Sequence, residues 1–298
     1  VTVCTADGGT LTADPETVNH GDASMVTIAA DAAHGYHIDT ITCGDDVLVF
    51  GVNDSILYTY AINNITSDTS ICASFSLNNY TITASVTDET NIEIVPAGDS
   101  AVKYGDTVQY VVSTLNDCHY ISTIVIDETD TITYNDSVAF THSFEDIRAN
   151  HTIVANAEIY RYIANTSVNY DSLGTITPTD TLDCGDNFAY EVTPITGYHI
   201  DSVTVGGVAQ TIADSSTFAG TIEDIHADVA IVAYFGINHY TITSDVVENG
   251  PITPGDTTIV YEYGMTPEYT ITPAACYYIS DVMVDGVEVE LTTGDSTG

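Results

Sequence analysis

Residues 184–207 read CGDNFAYEVTPITGYHIDSVTVGG. Phe188, Tyr190 and Val192 alternate with polar residues, and Ile200, Val203 and Val205 do so after a break. A period of two marks half-buried antiparallel strands. Gly197 stands between the runs, where a residue without a β-carbon eases a tight reversal. The same order of residues returns at 20–46 (HGDASMVTIAADAAHGYHIDTITCGDD), at 104–128 (YGDTVQYVVSTLNDCHYISTIVIDE) and at 263–286 (YGMTPEYTITPAACYYISDVMVDG). The glycines that open the four copies, Gly21, Gly105, Gly185 and Gly264, are 84, 80 and 79 residues apart. A fixed period of that size is the mark of a tandem array.

The period divides the 298 residues into units of about 80: 1–79, 80–160, 161–239 and 240–298. Each unit is large enough to fold and small enough to gain from staples. VTVCTA, YTITAS, RYIANTSV and YTITSDV open the four units, and SDTSICASF, HTIVANAEI and DVAIVAYFGI close the first three. Thr, Val, Ile and Tyr are abundant, Gly, Asp, Asn and Pro punctuate at short intervals, and no stretch has helical periodicity. The expected class is therefore all-β, as four Ig-like β-sandwich repeats joined head to tail. In the third unit the core-facing set is expected to be Ile163, Ile176, Tyr190, Val192, Ile200, Val203, Val205, Phe218, Ile222, Ile231, Ala233 and Phe235. Aligned on Asp136 and Ser137, the fourth unit reaches Asp295 and Ser296 without its last two strands. A sandwich short of strands leaves an open edge, so a continuation of the chain or a strand from a neighbouring subunit is expected to complete it.

Charge narrows the partners. Lys103, Arg148 and Arg161 face 43 acidic residues, a formal net charge of −40. Nucleic acid and anionic membrane surfaces both demand a basic face, so neither is expected as a partner. Apolar content of 44% separates the chain from disordered acidic tails. No apolar run reaches membrane-spanning length, so no direct insertion is expected. The acids gather in Gly-Asp, Asp-Gly and Asn-Asp turns, where the short side chain caps local backbone. Paired turn carboxylates also raise calcium as a ligand, although no EF-hand or nonapeptide loop is present. No other cofactor is expected.

The ordered set Tyr-Thr-Ile-Thr-Ala-Ser, Gly-Thr-Ile-Thr-Pro, Tyr-Gly-Asp, Gly-Tyr-His-Ile-Asp-Ser-Val-Thr-Val-Gly-Gly and Asn-His-Thr-Ile-Val-Ala resembles the divergent internalin B-type repeat. Cys118 and Cys276 depart from it by replacing the glycine before the Tyr/His-Tyr-Ile segment. The resemblance implies a module found in tandem in large bacterial and archaeal surface proteins. It implies an extracellular or cell-surface location and a role as spacer, stalk, adhesin or filament, and it implies no catalytic residues. It also leaves a β-grasp-like repeat open as the alternative fold.

Candidate chemistry is sparse. His34 and His37 lie close together, and His37 matches His199, but no third metal ligand falls at the required spacing. Asp45 with Asp46, and Glu288 with Glu290, are carboxylate pairs at turns or strand ends, where a glycosidase pair is not expected. No nucleophile elbow or phosphate loop occurs, so the chain is not expected to be an enzyme. Tyr80, Tyr162 and Tyr240 start three units and are expected to pack at the joints between repeats. Asn53, Asn64, Asn79, Asn135, Asn150 and Asn165 head Asn-x-Ser/Thr sequons, which makes the chain a candidate glycoprotein.

Six cysteines without Cys-x-x-Cys spacing point to disulfides, with fifteen possible pairings. One strand of each hairpin runs from the Gly-Asp turn to the Gly-Tyr-His-Ile turn at the opposite pole. Cys118 lies at the far pole of the second unit and Cys184 at the near pole of the third, so they are expected to pair. Cys276, at the far pole of the fourth unit, is expected to reach Cys43, at the near pole of the first unit of another copy. Cys4 and Cys72 are left to pair within the first unit. The function expected is a structural subunit of an extracellular filament, a head-to-tail homopolymer completed by strand addition and disulfides. The alternative is the stalk of a large surface adhesin.

Overall fold

A computed structural model describes residues 1–290 apart from 5, 51, 52, 54, 246, 247 and 256, with the backbone only at 135. The chain is all-β: among the described residues the helical content is a single 3-10 turn, Ala32–His34. A β-grasp fold needs a helix laid across its sheet, so that alternative is removed. The chain forms two compact units, Val1–Tyr160 and Arg161–Gly298.

The first unit holds two sandwiches. In the first, Thr2–Val3, Ser70–Leu77, Tyr36–Cys43 and Asp46–Val49 make one sheet, and Gly9–Asp14, Ser24–Ala30 and Leu57–Ile62 make the other. Val26 and Ile28 from one sheet meet Ile38, Ile41, Ile71 and Ala73 from the other in a common core. In the second, a five-stranded sheet (Gly98–Lys103, Asn79–Val86, His151–Ile159, His119–Ile126, Asp130–Ser137) covers a three-stranded one (Ala139–Phe144, Val108–Thr114, Ile92–Val95). Tyr110 and Val112 there pack against Ile82, Ile121, Ile124 and Ile153. The alternation seen in sequence becomes burial: each strand sends every second residue inward, and its polar neighbours face water.

The second unit repeats the plan. Asp180–Asp183, Arg161–Val168, Val229–Ile237, Tyr198–Val205 and Val208–Ala209 form one sheet; Gly174–Ile176, Phe188–Pro194 and Phe218–Ile222 form the other. The core between them holds Tyr190, Val192, Ile200, Val203, Ile231, Ala233 and Phe235. Beyond it come three two-stranded ladders: His239–Ser244 with Thr257–Glu262, Ile252–Thr253 with Thr270–Ile271, and Met283–Val284 with Val287–Glu288. Of the described residues from His239 onward, Ser244 alone is buried. Asp295 and Ser296, the counterparts of Asp136 and Ser137, lie outside the described residues.

Two features recur in all three sandwiches. The first strand lies parallel to the last: Thr2–Val3 beside Ser70–Leu77, Asn79–Val86 beside His151–Ile159, and Arg161–Val168 beside Val229–Ile237. The returning strand of each hairpin also carries a register shift, at Ile38/Thr40, Ile121/Thr123 and Ile200/Ser202. One extra residue in a strand reverses the parity of everything after it. That is why Ile200 and Val203, three apart in sequence, both face the core.

The expected core of the third unit needs one correction. Ile163 is 43% exposed, and its neighbours Tyr162 and Ala164 face inward. The parallel register explains it: Ala84 lies opposite Ile153 and Thr166 opposite Ile231, which places Ala164 where Ile82 stands in the preceding sandwich. Ile163 thus takes the outward place of Thr81. The other expected core residues are buried or packed against the core.

Candidate functional site

What the fold builds most deliberately is the joint between one repeat and the next, seen once in each compact unit. The near-pole turn is set by glycine and aspartate. Gly21, Gly105 and Gly185 adopt φ of 90°, 81° and 87°, a region that costs other residues strain. Their N–H groups donate to the carbonyls of Ile65, Ile147 and Ile225 at 2.8, 2.8 and 2.9 Å. The far-pole turn ends on Gly35 or Gly197, at φ 74° and 90°.

In the first unit the residue before Gly105, Tyr104, lays its ring on Gly35. A β-carbon added to Gly35 would fall inside that ring. The Tyr104 hydroxyl donates to the Ala33 carbonyl at 3.3 Å, and the Arg148 guanidinium lies 5.3 Å from the ring centroid. Asn78, between the two sandwiches, ties the parts together. Its N–H donates to the Gly35 carbonyl at 2.7 Å, and its carbonyl accepts from Tyr104 N–H at 2.9 Å. Its Oδ1 accepts from Nδ1 of His37, at 3.0 Å. His37 is 2% exposed.

The second unit contains the same joint. Tyr263 covers Gly197, where again a β-carbon would enter the ring. Asn238 N–H donates to the Gly197 carbonyl and its carbonyl accepts from Tyr263 N–H, both at 2.9 Å. His199 Nδ1 donates to Asn238 Oδ1 at 2.9 Å. Each joint therefore has a bare glycine as seat, a tyrosine as cover, and a His–Asn pair that holds the linker by hydrogen bonds worth roughly 1 kcal/mol apiece.

This arrangement corrects one expectation. Tyr80 and Tyr162 pack against the cores of their own sandwiches, whereas Tyr240, 52% exposed, keeps the expected place, its ring centroid 6.4 Å from that of Tyr263. The joint tyrosines are Tyr104 and Tyr263, each one residue before the opening glycine. Asn78 and Asn238 were also not singled out by sequence reasoning. The signal was present in the paired phrases LNNY and INHY at two unit boundaries.

The remaining candidates fall as follows. Cys4 and Cys72 form a disulfide, with Cα atoms 4.8 Å apart. Cys43 and Cys276 are free thiols. Burial, and then the charge of Asp46, push the Cys43 thiol up from its ordinary pKa. Cys118 and Cys184 belong to different compact units. Cys118 offers its carbonyl to the N–H of Tyr160 at 2.9 Å, and the sulfur of Cys184 lies 3.4 Å from Nδ1 of His226. His34 pairs with Asp31 at 2.7 Å on the surface, apart from the joint role of His37. Asp46 accepts from the Tyr60 hydroxyl at 3.1 Å; Asp45, Glu288 and Glu290 are exposed.

Of the sequon asparagines, Asn64, Asn79, Asn150 and Asn165 are exposed. Asn53 exchanges two hydrogen bonds with the backbone of Asn79, at 2.6 and 3.0 Å. The side chain of Asn135 lies outside the described residues. A shallow, open depression of about 430 Å³ lies over Tyr190, Glu191 and Gly220 on one sheet face. Glu191 is the one ionisable side chain among its lining apart from the Tyr190 phenol.

A family model described as a divergent InlB B-repeat domain matches residues 1–79 and 164–239. No curated protein matches the chain. Among solved structures, the I9–I11 tandem from titin is similar at 7% identity, over 76% of this chain and 98% of that one, with a TM-score of 0.13. The major pilin T-13 of Streptococcus pyogenes is similar at 12% identity, over 74% of this chain and 69% of that one, also with a TM-score of 0.13. Likeness at that level does not define a shared fold.

Proposed function

Because the chain belongs to the divergent InlB B-repeat domain family, we propose that it is a structural subunit of an extracellular filament or cell-surface fibre. Copies join head to tail, with strand addition at open sheet edges and disulfides as staples. The observation that carries the reading is the joint itself: the same glycine seat, tyrosine cover and His–Asn pair occur in both compact units. A chain that spends its distinctive residues on joining one repeat to the next is organised to transmit position and load. Such an array contacts only its neighbours and extends without closing.

Disulfides suit an oxidising exterior. Within the chain we assign Cys118 to Cys184. Cys118 is bonded to Tyr160, the last residue of the first unit. Cys184 directly follows Asp183, the ladder partner of Arg161, which begins the second. Peptide mapping that joins either cysteine to another partner overturns the assignment. Exposed sequons, Asn64 and Asn150 among them, are the sites offered to glycans. Asn53, whose amide is engaged with Asn79, is expected to stay bare in an intact-mass and peptide analysis of native material.

Negative-stain microscopy of the purified chain in high salt tests the main proposal. Regular fibres with an axial repeat near four domains are expected. Isolated beaded rods at every concentration overturn it and favour a stalk that carries some other binding module.

A further inference from the structure

In the second and third sandwiches the near-pole turn brings two side chains together. Gly105 N–H donates to the Ile147 carbonyl, and Ile147 N–H to that of Asp106. Gly185, Ile225 and Asp186 are joined in the same way. The residue before the glycine and the residue after the isoleucine are therefore neighbours. In the second sandwich they are Tyr104 and Arg148, with the guanidinium 5.3 Å from the ring centroid. In the third they are Cys184 and His226, with Sγ 3.4 Å from Nδ1.

The aspartate behind the second residue is kept as well. Arg148 donates to Asp146 at 2.7 Å, and Nε2 of His226 donates to Oδ1 of Asp224 at 3.0 Å. Asp146 and Asp224 share a left-handed backbone, at φ 49° and 54°. Asn187 Oδ1 fixes the third-sandwich turn by accepting the Asp224 N–H at 2.8 Å. Where the second sandwich holds a permanent cation against a carboxylate, the third holds a group that takes up and releases a proton. Sulfur, imidazole and carboxylate in a row are a reacting atom, its proton carrier and the group that orients the carrier.

Cys184 is a disulfide sulfur, so the reaction open to it is exchange. An imidazolium beside a sulfur favours its thiolate, and a sulfur that forms a thiolate readily is the better leaving group. Cys184 is only 7% exposed, which turns an incoming thiolate towards its partner sulfur. Cys118, the partner assigned above, is half-buried.

We propose that Cys184, His226 and Asp224 form a thiol–disulfide exchange site whose co-substrate is a dithiol. The proposal rests on the assigned Cys118–Cys184 bridge. One thiolate of the dithiol attacks the sulfur of Cys118, and the S–S bond breaks. Cys184 leaves with the bonding pair and takes the proton from Nδ1 of the His226 imidazolium, which Asp224 holds in line. The second thiolate of the dithiol displaces Cys118, which leaves as a thiolate and is protonated by water. The dithiol is oxidised to its disulfide and the protein bridge is reduced to two thiols. This makes one staple of the chain responsive to reductant.

The test follows reduction of the folded full chain by dithiothreitol, from about pH 5.5 to about 8, the range in which histidine changes charge. Samples are quenched in acid, alkylated and mapped as peptides. The Cys4–Cys72 bridge is the internal reference, so the ratio of the two opening rates cancels the supply of thiolate. The other charged groups of the two turns are Glu223 and Asp228, Asp183 paired with Arg161 at 2.8 Å, and Asp186, which accepts the Asp183 N–H. Carboxylates and guanidinium keep their charge over this range. The ratio is expected to rise about tenfold as pH falls across it, and to stay flat in His226→Gln. Asp224→Asn is expected to flatten the rise in part. The profile of the unaltered chain decides the matter even where a variant does not fold. A flat ratio in the unaltered chain, or a rise that survives His226→Gln, overturns the exchange site and leaves the disulfide assignment standing. Peptides that join Cys184 to another cysteine overturn the assignment, and with it the attack on Cys118.

Discussion

Tyr110 is fully buried, and its hydroxyl is the one buried side-chain polar atom without a partner among the described residues. Its ring packs edge-on to Phe144, 5.9 Å between centroids. The ring repays its burial and the hydroxyl does not, because a buried donor that bonds nothing forfeits its hydration. Tyr110→Phe is therefore expected to raise stability by about 1 kcal/mol, read as a higher denaturation midpoint at unchanged slope. Gly35 presents the opposite case, since it is buried beneath Tyr104 and left-handed. Gly35→Ala is expected to cost roughly 2–4 kcal/mol, from the ring displaced and the strained φ combined. Tyr104→Ala with intact Gly35 separates the two contributions. If Gly35→Ala melts like the unaltered chain, the seat is not what fixes the joint.

At the scale of strands, Ile163 and Ile82 make a matched pair. One points to water and the other is fully buried, although both sit in strands that open a repeat. Ile163→Thr is expected to change stability by less than about 0.5 kcal/mol, and Ile82→Ala to cost about 2–5 kcal/mol; chemical denaturation followed by tyrosine fluorescence measures both. The sequence placed Ile163 inside because isoleucine in an alternating run reads as core. Only the parallel partner strand fixes the parity, and that partner lies more than sixty residues away. Ile200, Val203 and Val205 read in sequence as one alternating run, and the bulge between Ile200 and Val203 shows only in the register of the opposite strand. The all-β class and the repeat needed no partner to be read, since turn residues and period are local. Joints are the reverse: period two says which face of a strand is buried, and nothing about what covers a turn. The Cys4–Cys72 bridge belongs here too, clamping the first strand of its sandwich to the last across 68 residues. Replacing both by alanine is expected to lower the stability of that sandwich by roughly 4 kcal/mol, resolved calorimetrically from the other melting units.

Over the whole molecule, a formal charge of −40 opposes any assembly of copies. Salt screens it, with a Debye length of about 3 Å at 1 M, so association is expected to strengthen steadily from 0.05 to ~1 M salt in light scattering. Acid acts by a second route. Most carboxylates gain protons near pH 4, whereas Asp88, held to about 2 by hydrogen bonds from the Thr90 hydroxyl, the Asn91 amide and the Thr90 N–H, stays charged. A depressed carboxylate contributes stability above its unfolded value of about 3.9, and that contribution is lost as pH falls through about 2. Between those limits repulsion fades while the Asp88 turn holds. Association is thus expected to be greatest between pH 4 and 2 at low salt. Assembly that weakens on acidification across that window would remove electrostatic repulsion as the controlling term.

The parallel pairing of first and last strands has a mechanical meaning. The chain enters the second sandwich at Asn79–Val86 and leaves it at His151–Ile159, two neighbours that run in the same direction. Pulling on the chain ends drags these strands past one another along their length, so their rungs share the load and yield together instead of opening one at a time. The third sandwich is loaded in the same way through Arg161–Val168 and Val229–Ile237. In the first, the corresponding strands are short, Thr2–Val3 against Ser70–Leu77, and there a covalent bond between Cys4 and Cys72 bears the tension. Whatever holds the two ends of this chain apart can stretch the first sandwich only outside its 68-residue loop until a reductant arrives.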